Sequence, residues 1–384
     1  MKNDSRQKEG LVPRVKALDA ILNWKTNKTF VLENLQKICD GLPQNDRSLA
    51  YEIAMGTCRA LGDIDEKLAS LMKKLPPEPC KSILEISLYQ LLYMRIPAYA
   101  AIDSAVEIAK KKSGKSEAKF VNAVLRNAVR KKFPQVLENK APLQWLRANP
   151  QKTNADELVA KLGLQGAKIL FGKFISVQNA GEVLKNPLFE NGFYSFQNPA
   201  SFFVQKMCKI KSGFKIWDAC AAPGGKTAML AEENPDAFFV STDFSERRIA
   251  KLFDLQNRLN LKNVHIALAD AQNPPFSLCF DIVIIDAPCS NMGVANRRPE
   301  VLQSFSKEKI SELAKKQFAI LCGVSSVVKA DGIIVYSVCS HEKEETEEVV
   351  KKFLASNSGF IQEDFIFTDM PDADKFFVAK LRRA

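Results

Sequence analysis

The chain has 384 residues, of which 46% are hydrophobic and 26% charged, a composition typical of globular rather than disordered proteins. This length exceeds what one hydrophobic core usually supports, so we expect at least two domains. No apolar run approaches the roughly 18–20 residues that span a bilayer, and the polar N-terminus does not resemble a secretory signal. We therefore expect a cytoplasmic protein without a membrane partner.

The cysteines and histidines give no sign of a metal site or a disulfide framework. Nine cysteines and two histidines are scattered along the chain, and no two cysteines form a C-x-x-C pair. An odd, dispersed set of cysteines is typical of a protein from a reducing compartment. We therefore expect no metal cofactor.

The net charge of +11 is concentrated in the first third of the chain. Residues 1–133 contain 24 Lys and Arg against 15 Asp and Glu, and residues 110–132 hold nine basic residues and one acidic residue. Such a basic segment is a typical electrostatic footprint for nucleic acid. A solvated helix face that keeps the protein soluble would explain the same pattern.

The first two parts of the chain differ in their hydrophobic periodicity. Residues 11–133 carry apolar residues at three- and four-residue spacing, without strand-like alternation. This pattern predicts an all-helical domain over residues 1–133. In residues 134–195, short helical patterns alternate with Asn, Gly and Pro, and we predict a linker and a small subdomain there.

Residues 196–384 show alternating strand and helix patterns. The predicted strands are 214–217, 237–242, 264–268, 281–285 and 333–338. Strands that alternate with helices predict a doubly wound, mostly parallel, Rossmann-like sheet. Two short strands near the end of the chain are expected to pair antiparallel at one edge of this sheet.

A glycine-rich turn follows the first of these strands, in "DACAAPGGKTAML" at 218–230. The two glycines let backbone approach a ligand closely, and the next residues open a helix whose amides favour negative charge. The end of the turn imitates a phosphate-binding P-loop, which would make the protein a nucleotide hydrolase. A P-loop requires glycine at position 220, where this chain has Cys220, so a triphosphate ligand is disfavoured.

Acidic residues follow the next three strands. Asp243 stands 18 residues after Gly225, an offset at which a carboxylate accepts hydrogen bonds from a ribose diol. Asp270 and Asp286 follow the third and fourth strands. Each acid alone could be a helix N-cap. Together with the glycine-rich turn, they predict an adenosine-type ligand in a Rossmann-like crevice.

Two cysteines, Cys289 and Cys339, are predicted at the same edge of the sheet. A thiolate near a ligand crevice and helix N-termini can act as a nucleophile. A free cysteine is also often a small, inert, buried residue. Combined with an adenosine-bearing cofactor and a basic helical domain, the pair indicates nucleophilic chemistry on a nucleic-acid base.

Several stretches resemble a known family. "DACAAPGGKT", "DAPCSNMGV", "YSVCS" and "FFVAKLRR" resemble the RNA (cytosine-5)-methyltransferases of the Sun/RsmB type, which use S-adenosylmethionine. "LYQLLYMRIPAYAAIDSAVEIAK" and "FVNAVLRNAVRK" resemble the NusB-like RNA-binding domain that precedes the catalytic domain in that family. The resemblance implies that S-adenosylmethionine is held by Cys220, Ala221, Ala222, Pro223, Gly224, Gly225, Lys226, Asp243, Asp270 and Asp286.

The resemblance also implies catalytic roles. Cys339 would attack C6 of a cytosine, which activates C5 to accept the methyl group, and Cys289 would assist release of the product. Asp286, with Lys226 nearby, could stabilise charge that develops on the ring. The target base must be unpaired or flipped to reach this site. The glutamate-rich block at 342–348 is interpreted as a solvated helix face.

The substrate implied by the resemblance is small-subunit (16S) rRNA, free or in early assembly particles, and we expect a monomer. A tRNA cytosine is the alternative, because related enzymes share the catalytic motifs. A non-catalytic RNA-binding or ribosome-assembly factor is a second alternative. The presence of both Cys289 and Cys339 argues against it.

Overall fold

The computed structural model describes residues 10–27, 30–136, 142–178, 180–277, 279–304 and 306–384. The described residues divide into two compact units. The first draws on Met1–Ala141 and Ala295–Ser304, and the second on Pro142–Val294 and Phe305–Ala384. The predicted boundaries after residues 133 and 195 stay predictions. No helix among the described residues is long and apolar enough to cross a membrane.

The first unit confirms the predicted all-helical domain. Its helices are α1 (Leu11–Asn27), α2 (Val31–Ile38), α3 (Gln44–Arg59), α4 (Leu61–Leu71), α5 (Cys80–Tyr93), α6 (Ala98–Lys112) and α7 (Lys115–Arg130). The apolar positions of these helices meet in one core. Helix α5 is buried along nearly its whole length. A Cβ at Gly56 of α3 would stand 2.0 Å from the ring of Tyr89 in α5, so glycine is what allows these helices to approach.

The basic segment 110–132 covers the end of α6 and all of α7. All nine of its Lys and Arg residues are exposed. The opposite face of α7 is buried through Ala118, Val121, Val124, Leu125 and Ala128. This division follows from the 3.6-residue helical period, which separates the apolar from the charged positions. Lys112 forms an ion pair with Asp19 at 2.8 Å and Lys110 one with Glu107 at 3.8 Å, and the other basic residues of the segment add to a positive surface.

The second unit begins with a small antiparallel sheet that the sequence analysis did not predict. Its strands are β1 (Gln144–Ala148), β2 (Ile169–Leu170), β3 (Phe174–Val177) and β4 (Tyr194–Phe196), in the order β2-β3-β1-β4. The accompanying helices are α8 (Ala155–Leu162), α9 (Ala180–Leu184) and α10 (Pro187–Glu190). Strand β3 is buried along its whole length and β1 at all but its first residue, so neither shows the alternation by which a half-buried strand is recognised.

The large sheet confirms the predicted doubly wound, mostly parallel architecture. Its strands are β5 (Lys215–Asp218), β6 (Phe238–Asp243), β7 (Val264–Leu268), β8 (Phe280–Asp286), β9 (Val328–Val338), β10 (Phe360–Phe367) and β11 (Phe377–Arg383). The order is β10-β11-β9-β8-β5-β6-β7. Strands β5 to β9 are parallel, and β10 and β11 form the predicted antiparallel pair at one edge.

Helices cover both faces of this sheet. They are α11 (Phe202–Cys208), α12 (Gly225–Glu233), α13 (Glu246–Leu259), α14 (Lys307–Ser325) and α15 (Glu347–Ser356). Two apolar clusters are built on opposite faces of the strands, one around Trp217 and one around Ile216. Because the central strands are parallel, their carboxyl ends lie at one edge, where a doubly wound fold binds its ligands. The residues after β5, β6, β8 and β9 are therefore brought together.

Candidate active site

The two predicted cysteines lie next to each other at this edge. Cys289 follows β8 by three residues, and Cys339 follows β9 directly. Strands β8 and β9 are parallel neighbours, with Asp286 opposite Ser337. The two sulfur atoms are 3.2 Å apart. Cys289 is buried and Cys339 is half-buried, so Cys339 is the sulfur that a substrate can reach more readily.

Asn291 connects the two cysteines, and the sequence analysis did not identify it. The Cys339 thiol donates to Asn291 Oδ1 at 3.0 Å, and Asn291 Nδ2 donates to the carbonyl oxygen of Cys289 at 3.1 Å. The hydrogen bond with Cys339, together with burial, raises the pKa of Cys289 well above its usual value. Cys289 is therefore a neutral thiol, and only the thiolate form of a cysteine is a strong nucleophile.

Lys226 and Asp286 form an ion pair beside the cysteines, at 2.5 Å between Nζ and Oδ2. Ser337 Oγ donates to Asp286 Oδ1 at 3.2 Å. The Lys226 ammonium also stands 4.9 Å from the centre of the Phe376 ring. Burial by itself would lower the pKa of Lys226, but the negative charge of Asp286 outweighs it, and the pKa is raised. Lys226 therefore places a permanent positive charge at the edge of the sheet.

The predicted turn at 220–226 lies against Asp243. Gly224 has φ of +106°, which disfavours any residue with a side chain, and α12 begins at the next residue. The amide of Ala222 donates to Asp243 Oδ2 at 3.3 Å, and the amide of Ser245 donates to Oδ1 at 3.0 Å. The turn and the Asp243 carboxylate therefore lie together, as expected for groups that follow neighbouring parallel strands.

Asp270 lies beside the end of β6, because the amide of the preceding Ala269 donates to the carbonyl oxygen of Asp243 at 3.3 Å. The carboxylate of Asp270 accepts from the amide of Gln272 at 3.0 Å and is half-buried.

Burial raises the pKa of the Cys220 thiol, so this third cysteine near the site stays protonated. Cys220 therefore contributes to the shape of the turn and does not provide a nucleophile.

Asp218, at the end of β5, is a further buried acid of this edge. Thr227 donates its hydroxyl to Asp218 Oδ2 at 2.6 Å, which ties the strand end to the start of α12. The other oxygen, Oδ1, is buried and has no hydrogen-bond partner among the described residues. Burial raises the pKa of Asp218 to about 7. Asp218 is the first residue of the motif at 218–230, but its burial could not be inferred from the motif alone.

The raised pKa of Asp218 predicts a dependence of stability on pH. The folded protein keeps this proton up to about pH 7, whereas an unfolded aspartate with a pKa of 3.8 loses it. We expect the free energy of unfolding to fall as pH rises from about 4 to about 7, by at most roughly 1.4 kcal/mol per pH unit. Asp218→Asn should remove this component. Urea unfolding at several pH values would measure it, and equal slopes for the two proteins would contradict the assignment.

The glutamate-rich block 342–348 is not a uniformly solvated helix face, so that interpretation was wrong for Glu345. Lys343–Glu345 forms a short 3-10 turn, and α15 begins only at Glu347. The break turns Glu345 inward, where it is fully buried. Glu344 and Glu348 are exposed, as predicted.

Glu345 holds the two cysteine loops together. One carboxylate oxygen accepts from the Ser290 amide at 2.8 Å, and the other accepts from the Ser290 hydroxyl at 2.5 Å. Gln317 Nε2 donates to the same carboxylate at 3.1 Å. The hydroxyls of Ser290 and Ser340, each of which follows one of the cysteines, are 3.2 Å apart. A buried carboxylate therefore stabilises the two loops whose positions determine the distance between the sulfur atoms.

No metal-binding group of three or more His, Cys, Asp or Glu side chains occurs in the part of the chain that the structure describes. The chemistry available at the edge consists of two thiols, an ammonium–carboxylate pair, a backbone turn and several carboxylates. Such a set can add a sulfur nucleophile to an electrophilic carbon and stabilise negative charge on the product.

Comparisons with known proteins match most of the chain. The family model described as 16S rRNA methyltransferase RsmB/F matches residues 206–382, and the NusB family model matches residues 12–130. The chain is 30% identical to ribosomal RNA small subunit methyltransferase B of Pseudomonas syringae pv. tomato, over 90% of this chain and 87% of that protein. It is 28% identical to the probable enzyme of the same name from Bacillus subtilis, over 94% and 92% of the two chains.

Two solved structures show the same fold. The crystal structure of PH0851 superposes with a TM-score of 0.78 at 19% identity and covers 98% of both chains. NSun6 from Pyrococcus horikoshii, solved with SFG, superposes with a TM-score of 0.56 at 21% identity and covers 72% of this chain and 97% of its own. The protein therefore belongs to the RsmB/F family of S-adenosylmethionine-dependent RNA methyltransferases and carries an N-terminal NusB-family domain.

Proposed function

We propose that this protein methylates C5 of a cytosine in small-subunit (16S) rRNA, with Cys339 as the nucleophile. The observation that carries the proposal is the pair of sulfur atoms 3.2 Å apart beside the ion pair of Lys226 and Asp286. Cytosine C5 is by itself too poor a nucleophile to accept a methyl group. Addition of a thiolate to C6 makes C5 enamine-like, so a site for this reaction requires a reachable cysteine and a nearby positive charge.

The residues of the edge fit S-adenosylmethionine. This molecule carries an ammonium group, ribose hydroxyls and a sulfonium charge, all of which favour carboxylate partners. Asp218 offers a buried oxygen without a partner among the described residues, and Asp243 and Asp270 follow the neighbouring strands. We infer that these acids, Asp286 and the turn 220–226 hold the cofactor. When bound there, S-adenosylmethionine supplies an electrophilic methyl group.

The first step uses Cys339. Its sulfur loses its proton to water and forms a bond to C6, and the electron pair of the C5–C6 double bond moves towards C5 and the ring. The negative charge is shared with N3 and O2 of the base. The ammonium of Lys226, held by Asp286, is placed to stabilise that charge as it forms. A cytosine within a helix cannot reach this edge, so the target must be unpaired or flipped.

The last step uses Cys289. After C5 carries the methyl group, the C5 proton passes to water, the C5–C6 double bond forms again, and the bond from C6 to Cys339 breaks. The departing sulfur becomes negative. Cys289 enters the reaction as a neutral thiol, because its hydrogen bond with Cys339 and its burial raise its pKa in the free protein. At 3.2 Å, Cys289 can donate its proton to the leaving sulfur.

The helical domain would hold the RNA. We propose residues 1–133 as this domain, 134–195 as a connecting subdomain and 196–384 as the catalytic domain of a monomeric enzyme. The nine exposed basic residues of 110–132 suit phosphate groups, which give affinity and register without reading the sequence. Binding of this kind weakens steeply as salt concentration rises.

The test is transfer of a labelled methyl group. The protein would be incubated with methyl-labelled S-adenosylmethionine and either 16S rRNA or tRNA, and the digested nucleosides separated by mass spectrometry. We expect 5-methylcytidine from 16S rRNA only. Label in tRNA alone would favour the tRNA alternative, and label on another atom would contradict the chemistry. RNA binding without any transfer would favour a ribosome-assembly factor.

A further inference from the structure

We propose that Asn291 is a positioning residue that restrains the Cys339 thiol in the free protein and must release it before the sulfur attacks. This inference rests on the proposed role of Cys339 as the nucleophile. Asn291 Oδ1 accepts the hydrogen bond of the Cys339 thiol at 3.0 Å. A carbonyl oxygen accepts from a thiol but repels a thiolate, so this contact opposes loss of the proton. Formation of the attacking thiolate therefore requires that the contact be broken.

The orientation of the Asn291 amide is determined by its second contact. Nδ2 donates to the carbonyl oxygen of Cys289 at 3.1 Å. The reverse orientation would bring two oxygens together there and lose this hydrogen bond, so the oxygen of the amide must face Cys339. The Cys289 thiol stays protonated and is 3.2 Å from the Cys339 sulfur. The Cys339 sulfur thus lies between a donor, Cys289, and an acceptor, Asn291.

The backbone conformation and contacts of the turn restrict the position of Asn291. Its φ is +62°, in the left-handed region that asparagine tolerates better than most residues. Its carbonyl oxygen accepts from the Val294 amide at 3.0 Å, and the Gly293 amide donates to the carbonyl oxygen of Cys339 at 2.9 Å. A Cβ at Gly293 would stand 2.0 Å from the carbonyl oxygen of Lys375. The turn that carries Asn291 is therefore fixed to the backbone of the nucleophile itself.

Two substitutions at Asn291 separate this role from a general structural one. Asn291→Gly suits the positive φ and removes the side chain, so the thiol loses its acceptor without backbone strain. Asn291→Asp keeps the shape and places a negative oxygen at the same atom, which strengthens the opposition to a thiolate. Both variants lose the hydrogen bond to Cys289. If the effect came from loss of that bond or from a loosened turn, the reactivity of Cys339 would change in the same direction in both variants.

The measurement is the rate at which iodoacetamide alkylates Cys339 in the protein without RNA or cofactor, followed by mass spectrometry of the Cys339 peptide. Cys279, which is exposed, serves as the internal control within each sample. We expect alkylation to be about fivefold faster in Asn291→Gly, the size of one ordinary hydrogen bond, and slower in Asn291→Asp. The Cys279 rate should stay unchanged in both.

The outcomes distinguish this inference from the proposed function. Equal rates in the three proteins, or a shift in the same direction in both variants, would overturn the role of Asn291. Failure of the unmodified protein to methylate RNA would overturn the proposed function, and the alkylation rates would still report on the contact. Methyl transfer by Asn291→Asp provides a second measurement: we expect a lower kcat with little change in KM for RNA, because the thiolate forms after the RNA is bound.

Discussion

Cys339→Ala should reduce methyl transfer to 16S rRNA by about 10⁴-fold or more, because the chain then lacks the sulfur that adds to C6. Transfer would be measured with methyl-labelled S-adenosylmethionine and quantified on the isolated RNA. The substitution removes one half-buried sulfur, so the variant should fold and bind RNA as the unmodified protein does. Cys279→Ala, at an exposed cysteine outside the site, is the matched control and should keep full activity.

Cys289→Ala should give a different result from the same assay. The nucleophile remains, but the thiol 3.2 Å from it is gone, so Cys339 adds to the base and leaves slowly. We expect a covalent protein–RNA complex that persists on a denaturing gel and a turnover reduced by about 10²- to 10⁴-fold, the range of a general acid–base group. The double substitution should show no such complex. Full activity in Cys339→Ala, or a complex that survives in the double variant, would contradict the assigned roles.

Much of the large sheet could be predicted because its central strands β5, β6, β8 and β9 are mostly buried and separated by helices. Such strands appear as continuous β-branched runs, and alternation with helices requires a parallel sheet. The carboxyl ends of parallel strands share an edge, so the acids and cysteines after β5, β6, β8 and β9 could be placed together without coordinates. The 3.2 Å separation of Cys289 and Cys339 is the strongest outcome of that argument.

The features that could not be predicted depend on loop geometry. Asn291 meets Cys339 because the backbone at residue 291 adopts a positive φ, which no local pattern in "CSNMGV" specifies. The small sheet escaped notice because its strands contain only two to five residues. Buried Arg147 on β1 forms an ion pair with buried Glu232 on α12, and this long-range pairing has no signature in the sequence.

Glu345 shows that one residue of a charged block can be buried when polar groups of neighbouring elements supply its hydrogen bonds. Glu344 and Glu348 are exposed, and the charge of the block predicted the same for Glu345. The 3-10 turn instead directs the carboxylate towards Ser290 and Gln317, which supply three hydrogen bonds. The same residue also fixes the chain from its backbone, because the hydroxyl of Tyr336 donates to the carbonyl oxygen of Glu345 at 2.7 Å.

Glu345→Gln should therefore lower both stability and activity. The amide keeps the size of the side chain but turns one acceptor into a donor, which must face either the Ser290 hydroxyl or the two N–H donors of Ser290 and Gln317. We expect the free energy of unfolding in urea to fall by about 2–3 kcal/mol, the scale of losing a hydrogen bond to a charged group and leaving a buried donor unpaired. Methyl transfer should fall by about 10²-fold, because small displacements of positioned catalytic groups have effects of that size.

Glu344→Gln is the matched control, since the neighbouring side chain is exposed and the chemical change is identical. It should leave the free energy of unfolding within about 0.5 kcal/mol of the original value, as is usual for surface substitutions. Equal effects of the two substitutions would mean that the buried carboxylate does not support the cysteine loops. If Glu345→Gln lost stability but kept full methyl transfer under folding conditions, the carboxylate would stabilise the fold without positioning the cysteines. The backbone of β8 and β9 would then maintain the 3.2 Å distance between the two sulfur atoms.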